Sequence, residues 1–577
     1  MSARADIHRL ATLAGTFTPE AVRARLELIH SLGRQRFRAA PLLRRFHGLL
    51  LHAAAFPDSP GILAAANAEL AQFPRRIAVA GSAARRGLQD SGITGTRVHY
   101  PFAHVNSDWL ASRWPEQVHM DWGAFDSAAK LDTLLERLCG RAELQVFDDA
   151  TLSTAAWIRL ASRRRRGGEP AWLFRQCDEA GLDGALVESV YNDAEVPLRW
   201  ELSFRAARTG NRANVTRPAF RTAMRKPPAN PSWWIRTWTG PVRHCPEAEG
   251  RRIIDIVQAA LLVRSREVYS HQHANPADVY RVDLGEGTEV VFLGVVPDRR
   301  LSLEASYGYM LFANGVPLGY GGVTPLFGQG NTGVNIFDEF RRGESAFLYA
   351  GVLGAARHVF GCERFVVNPY QFGAGNPEAI KSGAFWFYYR LGFRPVAERI
   401  RRRAAAEFKR ISAQRGRRTP PALLRDLAGC DLELVLPGSG TRARFEERWL
   451  AVLAASATGM LAAQGTGSRV TAGTRVARQV SKALGIRSRG WSRGERQALR
   501  DLAPVLAQIP DLARWRAAER GGLVEIIRAR GEDSERRYAQ LSAGHARLRT
   551  ALARAARQSE RATSRSAAGA PSDRRTV

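Results

Sequence analysis

An Asn-Gly pair between two apolar segments constrains the fold of this chain more than any other feature. The segment Tyr307 to Phe312 precedes Asn314-Gly315, and the segment Val316 to Val323 follows it. Both residues of such a pair accept a positive φ, which suits a tight turn between antiparallel strands. The pattern therefore predicts a β-hairpin near the centre of the chain.

Helical and extended patterns alternate around this hairpin. A helix is predicted over Glu247 to Tyr269 and a strand over Val290 to Val296, both before the hairpin. After it come, in order, a strand (Gly333 to Phe337), a basic turn, a helix (Phe347 to Phe360), a strand (Arg364 to Asn368), a helix (Pro377 to Leu391) and a strand from Phe393. This alternation of helices and strands predicts an α+β fold.

The turn that follows Phe337 is basic and leads into a helix. It contains Arg341, Arg342 and Gly343. A helix N-terminus exposes unpaired backbone N–H groups and the positive end of the helix dipole, so it attracts anions. Arg341 and Arg342 would add charge-assisted hydrogen bonds. The turn therefore predicts a ligand that carries phosphate groups.

Three segments resemble the GNAT acyltransferase superfamily, and the resemblance covers about residues 246 to 438. The hairpin leads to Gly319-Tyr320-Gly321, the strand and basic turn run from Asn335 to Gly343, and the stretch Ala384 to Phe393 has a tyrosine four residues before its Gly-Phe pair. The resemblance implies a mixed central sheet of GNAT type with helices on both faces, flanked by mainly helical N- and C-terminal regions. This sheet would open to admit the pantetheine arm of acetyl-CoA or another acyl-CoA. The resemblance also implies that the turn holds the pyrophosphate.

The resemblance further implies roles for single residues. Tyr388 would protonate the leaving thiolate, with Tyr389 in reserve, and Asp338 or Glu339 would take the proton of the amine. Glu304 is a weaker candidate for this base. The acyl-CoA would be bound by Phe337, Arg341, Arg342, Gly343, Ser345, Ala346, Asn368 and Asn376.

Several of these residues also have a structural interpretation. The segment around Tyr388 is typical of an aromatic core helix, Asp338 and Glu339 could form a solvated strand end, and Asn368 and Asn376 could simply build turns. Glu344 stands where the family's loop has a glycine. Its carboxylate would repel a pyrophosphate unless it points away.

No metal site is expected. His271 and His273 form a His-X-His pair without an obvious third ligand, which is more typical of surface residues. The five cysteines are far apart and form neither a CxxC motif nor a Cys/His cluster. They indicate neither a disulfide framework nor zinc, and a reducing, cytoplasmic location fits them.

Composition and helix signals divide the rest of the chain. Thr18-Pro19-Glu20 predicts a helix start, and Gly465 to Gly494 is predicted to be an exposed linker or arm. A helix is predicted over Arg536 to Arg557. The predicted regions are a mainly helical domain (1–150), a mixed basic region and linker (151–245), the GNAT-like domain (246–438) with a helical insertion (397–429), a basic helical region (439–558) and a disordered tail (559–577).

The formal net charge is +30, and nearly all of the positive charge is arginine because lysine occurs only five times. A protein this basic is drawn to polyanions, so nucleic acid, an anionic membrane surface or an acidic protein are conceivable partners. The most apolar stretch, Trp449 to Ala463, is shorter than the roughly 20 residues that cross a bilayer. We therefore expect no membrane span, and the N-terminus lacks the apolar core of a signal peptide.

Three functions remain open at this level. The leading hypothesis is an N-acyltransferase that moves an acyl group, most simply acetyl, from CoA to an amine of unknown identity. The alternative is a non-catalytic GNAT-like scaffold that binds nucleic acid or another polyanion. A third hypothesis keeps the transferase but uses a larger donor, such as an acyl-carrier protein or an aminoacyl-tRNA.

Overall fold

The computed structural model describes residues 2–125, 129–148, 152–163, 168–341, 343–414, 416–440 and 444–568. These residues form two β-sheets with helices around them. The predicted α+β class, with a mixed sheet and flanking helices, is confirmed. Arg342 and the end of the predicted tail lie outside the described residues.

Five helices precede the first strand. Thr18 caps the second of them as predicted, because its hydroxyl accepts from the Ala21 N–H at 3.3 Å and Pro19 begins the helix. The five are α1 (Ala3–Leu13), α2 (Pro19–Arg34), α3 (Ala40–Ala55), α4 (Pro60–Ala78) and α5 (Ser82–Gly87).

A small antiparallel sheet with its own hydrophobic core follows these helices. Its strands are ordered β1-β3-β2, and the fully buried Trp200 of β3 packs against Trp114, with ring centroids 4.9 Å apart. The elements are β1 (Arg97–Tyr100), α6 (His104–Arg113), β2 (Val118–Met120), α7 (Ala129–Leu138), α8 (Gln145–Asp148), α9 (Thr154–Ser162), α10 (Gly168–Glu179), α11 (Gly184–Ala194) and β3 (Leu198–Glu201).

The main sheet has nine strands in the order β11-β12-β10-β9-β8-β7-β6-β5-β4. Its strands are β4 (Val242–His244), β5 (Ala274–Gly285), β6 (Thr288–Val295), β7 (Tyr307–Ala313), β8 (Val316–Leu326), β9 (Gln329–Ile336), β10 (Arg364–Val367), β11 (Arg394–Pro395) and β12 (Leu432–Val435). The helices among them are α12 (Pro231–Thr237), α13 (Glu247–Leu262), α14 (Tyr269–Gln272), α15 (Ser345–Phe360), α16 (Pro377–Ser382), α17 (Ala384–Arg390), α18 (Glu398–Ala413) and α19 (Pro421–Leu427).

The predicted hairpin is confirmed as β7 and β8. Asn314 and Gly315 have φ values of 43° and 75°. A Cβ on Gly315 would lie 2.1 Å from the carbonyl oxygen of Ala213, so this position requires glycine for space as well as for conformation. The Asn314 side chain donates to Ala55 O and Ala219 O at 3.0 Å and thereby ties the turn to α3 and to the preceding loop.

The strand β9 has partners of two kinds. It is antiparallel to β8 along its whole length, whereas it pairs in parallel with β10 only through Gln329, Gly330 and Asn331. The sheet is therefore mixed, and among the described residues the last five positions of β9, from Thr332 to Ile336, have no strand partner on the side of β10. β10 itself ends at Val367, one residue beyond the last of these pairs.

Two predicted helices are shorter than their patterns suggest. The helix from Glu247 ends at Leu262, and the helix from Pro377 is divided at Gly383, which adopts a φ of 70°. A left-handed glycine ends one helix and lets the chain start another in a new direction. The predicted insertion over 397–429 does contain helices, namely α18 and α19.

The C-terminal region is helical, and one expectation about it is wrong. The stretch Gly465 to Gly494, predicted as a linker, contains α21, whose face of Val476, Ala477 and Val480 packs against neighbouring helices. The predicted helix over Arg536 to Arg557 is two helices. The elements are α20 (Arg448–Ala462), α21 (Arg469–Leu484), α22 (Arg493–Leu506), α23 (Ala517–Arg530), α24 (Arg536–Gly544) and α25 (Ala546–Ala568).

Buried polar contacts join these helices to the main sheet. The Glu535 N–H donates to Asp278 Oδ2 at 3.2 Å, and the Tyr307 hydroxyl donates to the same carboxylate at 3.0 Å. Arg530 forms an ion pair with Glu535. Among the described helices, we find none that combines the length and the apolar character needed to cross a bilayer.

Candidate functional site

A cavity of about 600 Å³ lies between α1, α3 and the ends of β8 and β9. It brings together four residues that were predicted from the sequence to be catalytic or to bind the cofactor: Phe337, Asp338, Glu339 and Arg341. Among the described residues, the charged groups of its lining are six arginines and two carboxylates: Arg44, Arg45, Arg208, Arg264, Arg266, Arg341, Asp338 and Glu339.

Glu339 is held in this wall by two arginines. Arg264 Nη2 donates to Glu339 Oε1 at 2.9 Å, Arg208 Nη2 lies 3.7 Å from the same oxygen, and the glutamate side chain is only 6% exposed. Burial alone would raise the pKa of Glu339, but the charges of Arg208 and Arg264 outweigh it and lower the pKa to about 2. Such a carboxylate is a weak base, and its position favours a structural role.

Asp338 and Arg341 lie at the edge of the cavity, where a ligand can reach them. The Asp338 side chain is 83% exposed, and its Oδ1 lies 3.0 Å from Arg341 Nη1. The same guanidinium donates to Glu378 of α16 at 3.0 Å, and its Nε donates to Ile336 O at 3.1 Å. Asp338 is therefore the accessible one of the two predicted bases.

The turn before α15 is closed by the N–H of Gly343, which donates to Phe340 O at 3.1 Å. Ser345 and Ala346 form the first turn of α15 and are half-buried, and the N–H groups of a first helical turn have no intrahelical acceptor. Arg342 lies outside the described residues. The geometry of this segment is compatible with an anion at the start of α15.

The Glu344 carboxylate points away from this surface into the protein. It is fully buried, and Arg221 Nη2 and Arg225 Nη2 lie 3.1 and 2.9 Å from its Oε2. The backbone N–H of Arg225 donates to Oε1 at 3.0 Å. The repulsion expected from a glutamate in this turn is thus offset by two arginines that lie far from it in sequence.

Tyr388 lies in an aromatic core. Its ring is 5.7 Å from that of Tyr349 and 5.8 Å from that of Phe393, and its hydroxyl lies near the backbone of Val334 in β9. Burial raises the pKa of Tyr388, so the phenol keeps its proton. Tyr389 is also buried, with the Arg394 guanidinium 4.0 Å from its ring centre.

Asn368 and Asn376 both act as caps. The Asn368 Oδ1 accepts from the Tyr370 N–H at 3.0 Å, and the Asn376 Oδ1 accepts from the Ala379 N–H at 3.1 Å. The Asn376 amide also donates to Tyr370 O at 3.1 Å. These contacts build the loop between β10 and α16.

His271 and His273 are buried, which corrects the expectation of surface residues. The short helix α14 packs against β6 and β7, so that His271 Nε2 lies 3.1 Å from Tyr309 O. Burial lowers the pKa of His271 to about 4. Within the described part of the chain, no three His, Cys, Asp or Glu residues form a group that could hold a metal ion.

Glu304 lies away from the cavity, beside β8. The Thr324 hydroxyl donates to its Oε1 at 3.3 Å. Burial, together with the nearby charge of Glu447, raises the pKa of Glu304 to about 7. Its environment therefore makes the carboxylate form unfavourable in the folded protein.

The raised pKa of Glu304 predicts a pH-dependent effect of Glu304→Gln. Because the folded-state pKa exceeds the ordinary value of 4.5, wild-type stability falls as the pH rises from about 4.5 through 7. The variant lacks this loss, so its stability relative to wild type should increase by roughly 1–3 kcal/mol between pH 5 and pH 8. Thermal unfolding at both pH values measures this difference. Glu27→Gln, at an exposed position, is the control, and an unchanged difference for Glu304→Gln would contradict the prediction.

Sequence reasoning missed most of the cavity wall. Arg44 and Arg45 come from α3, Arg208 from an irregular segment, and Arg264 and Arg266 from the segment that follows α13. The available signals were the adjacent pair Arg44-Arg45 and the two arginines shortly after α13, Arg264 and Arg266. Residues hundreds of positions apart meet here through tertiary packing, which no local pattern reveals.

None of the family models, curated proteins and solved structures that were compared with this chain matches it.

Proposed function

We propose that this chain is an N-acyltransferase that transfers an acyl group from acyl-CoA to an amine. The single observation that carries the proposal is the partial pairing of β9, which pairs with β10 only up to Asn331 and ends at a cavity and at the start of α15. An extended donor would lie along the part of β9 that, among the described residues, has no strand partner on the side of β10, and this partial pairing favours a sheet of GNAT type.

The donor phosphates would lie at the first turn of α15. The N–H groups of Ser345 and Ala346 and the half-exposed guanidinium of Arg341 are suited to bind them. The burial of Glu344 against Arg221 and Arg225 supports this assignment, because it removes a negative charge from the surface of the turn.

The reaction would proceed by direct attack. The amine nitrogen forms a bond to the acyl carbon, the carbon–sulfur bond breaks, and the products are an amide and the CoA thiol. Asp338 would take the proton that the nitrogen loses, because it is the exposed carboxylate at the cavity. Tyr388 would supply the proton for the thiolate, since it remains protonated and reaches β9 at Val334.

Calorimetric titration of acetyl-CoA into the full chain tests the proposal. Arg341→Ala should weaken binding by roughly tenfold or more, because a charge-assisted contact to phosphate is lost. Arg537→Ala is a matched control, since Arg537 is 47% exposed and also pairs with two carboxylates, while Arg341 is 50% exposed.

Two results would contradict the proposal. One is an equal loss of binding in both variants. The other is the absence of binding to any acyl-CoA, together with tight nucleic-acid binding that weakens steeply with salt. That result would favour the hypothesis of a non-catalytic scaffold that binds polyanions.

A further inference from the structure

The positive charge of the cavity exceeds what its own carboxylates neutralise. Glu339 is engaged by Arg208 and Arg264, and Asp338 by Arg341. The other three arginines have no carboxylate partner among the described residues, although Arg44 donates to Gly87 O at 3.1 Å. These three are Arg44, Arg45 and Arg266, and they are exposed.

The remaining lining is largely uncharged. Phe337 is buried beneath the Arg264 guanidinium, which lies 3.7 Å from its ring centre, and Tyr320 lies 5.9 Å from Phe337. His52 contributes a neutral imidazole, because burial and the charge of Arg25 lower its pKa to about 4. An apolar floor with a cationic rim suits a small organic anion, and about 600 Å³ is enough for one.

The cavity shares Arg341 with the proposed donor site but otherwise lies apart from the edge of β9 that, among the described residues, has no strand partner toward β10. Its lining includes Tyr320 of β8 and residues of α1 and α3, but none from β10, α16 or the first turn of α15. The two regions meet at the end of β9, around Ile336 and Phe337. A donor beside β10 and a second ligand in the cavity would therefore both approach the same strand end.

We propose that the cavity binds the acyl acceptor and that this acceptor is a small amine bearing a phosphate or carboxylate group. The inference rests on the proposed function and names the substrate class of the same site. The anionic group would contact Arg45 and Arg266 at the rim, and the cationic lining would concentrate such molecules in the cavity. The amine would then lie toward Asp338.

Binding is tested first, with inorganic pyrophosphate and citrate as probes for the phosphate and carboxylate groups. Calorimetry at physiological ionic strength should show that at least one of them binds to the full chain. The Arg45→Ala/Arg266→Ala variant should weaken that binding by roughly tenfold or more. Arg487→Ala/Arg489→Ala removes the same charge from an exposed segment after α21 and should leave binding within about twofold.

A competition experiment separates this cavity from the donor site. The probe should still bind when acetyl-CoA is saturating. Displacement of the probe by acetyl-CoA would assign the cavity to the donor phosphates and overturn the inference. An equal loss in the two double variants, or no binding of either probe, would overturn it as well.

Acyl transfer then tests the acceptor class with matched amines. O-Phosphoethanolamine and 4-aminobutyrate should be acylated with kcat/KM at least roughly tenfold above ethanolamine and 4-aminobutanamide, which lack the anionic group. The advantage should disappear in Arg45→Ala/Arg266→Ala. Equal rates for the amines with and without the anionic group would overturn the proposed acceptor class but would not contradict the proposed acyltransferase. If acetyl-CoA does not bind, the proposed function is wrong, and the proposed acceptor role of the cavity with it.

Discussion

Replacing Glu344 with alanine is expected to lower the free energy of unfolding by about 3 to 5 kcal/mol. The change removes the carboxylate between two arginines, of which Arg221 is fully buried and Arg225 is 14% exposed. The carboxylate that remains near both is Glu286, which is 56% exposed and lies 2.5 Å from Arg221 Nη1 and 3.7 Å from Arg225 Nε. An incompletely compensated buried charge is therefore left behind.

Urea denaturation followed by tryptophan fluorescence measures this loss, since Trp234 and Trp238 pack against α15. The control is Glu286→Ala, which removes a half-exposed partner of the same arginines and should cost less than about 1 kcal/mol. In a double-mutant cycle, Arg221→Met should recover part of the loss caused by Glu344→Ala. Equal effects of the two glutamate substitutions would contradict the proposed burial of this charge.

The second large effect is expected at Glu339. Glu339→Gln should destabilise the protein by about 3 kcal/mol at neutral pH, because its carboxylate compensates the neighbouring charges of Arg264 and Arg208. The loss should depend on pH. The folded-state pKa of about 2 lies below the ordinary value of 4.5, so the stabilisation is complete above about pH 4.5 and disappears as the pH falls toward 2.

The measured quantity is the difference in free energy of unfolding between wild type and Glu339→Gln, determined from pH 7 down to pH 3. This difference should shrink below about pH 4.5. The other carboxyl groups titrate in both proteins, so their effects on stability largely cancel in the difference. Asp338→Gln is the control, since its side chain is 83% exposed and pairs only at the surface. A constant difference across the range would show that Glu339 is not an ionised partner of these arginines.

Local patterns in the sequence were reliable where a short segment determines its own conformation. Asn314-Gly315 specified a tight turn because both residues adopt a positive φ, and Thr18-Pro19 specified a helix start through a side-chain cap. They were unreliable for the segment that contains α21. Its glycines and arginines suggested a linker. The segment instead forms a helix whose apolar face around Val476 is covered by neighbouring helices.

The candidate site, too, was only partly predictable from the sequence. The sequence placed Phe337, Asp338, Glu339 and Arg341 together because they are consecutive or nearly so, at the end of one strand. It could not distinguish the accessible Asp338 from the buried Glu339, since burial depends on arginines from distant segments. The sequence also could not show that the Glu344 side chain points into the protein, because its partners Arg221 and Arg225 precede it by more than a hundred residues.

The sequence by itself determined the class of fold, the central hairpin and the strand, turn and helix around Arg341. Only the tertiary structure decided that β9 pairs with β10 only up to Asn331 and that α1 and α3 close an arginine-lined cavity at its end. The physical reason is that backbone propensity and hydrophobic periodicity act over a few residues, whereas the burial and pairing of charges depend on which distant segments pack together.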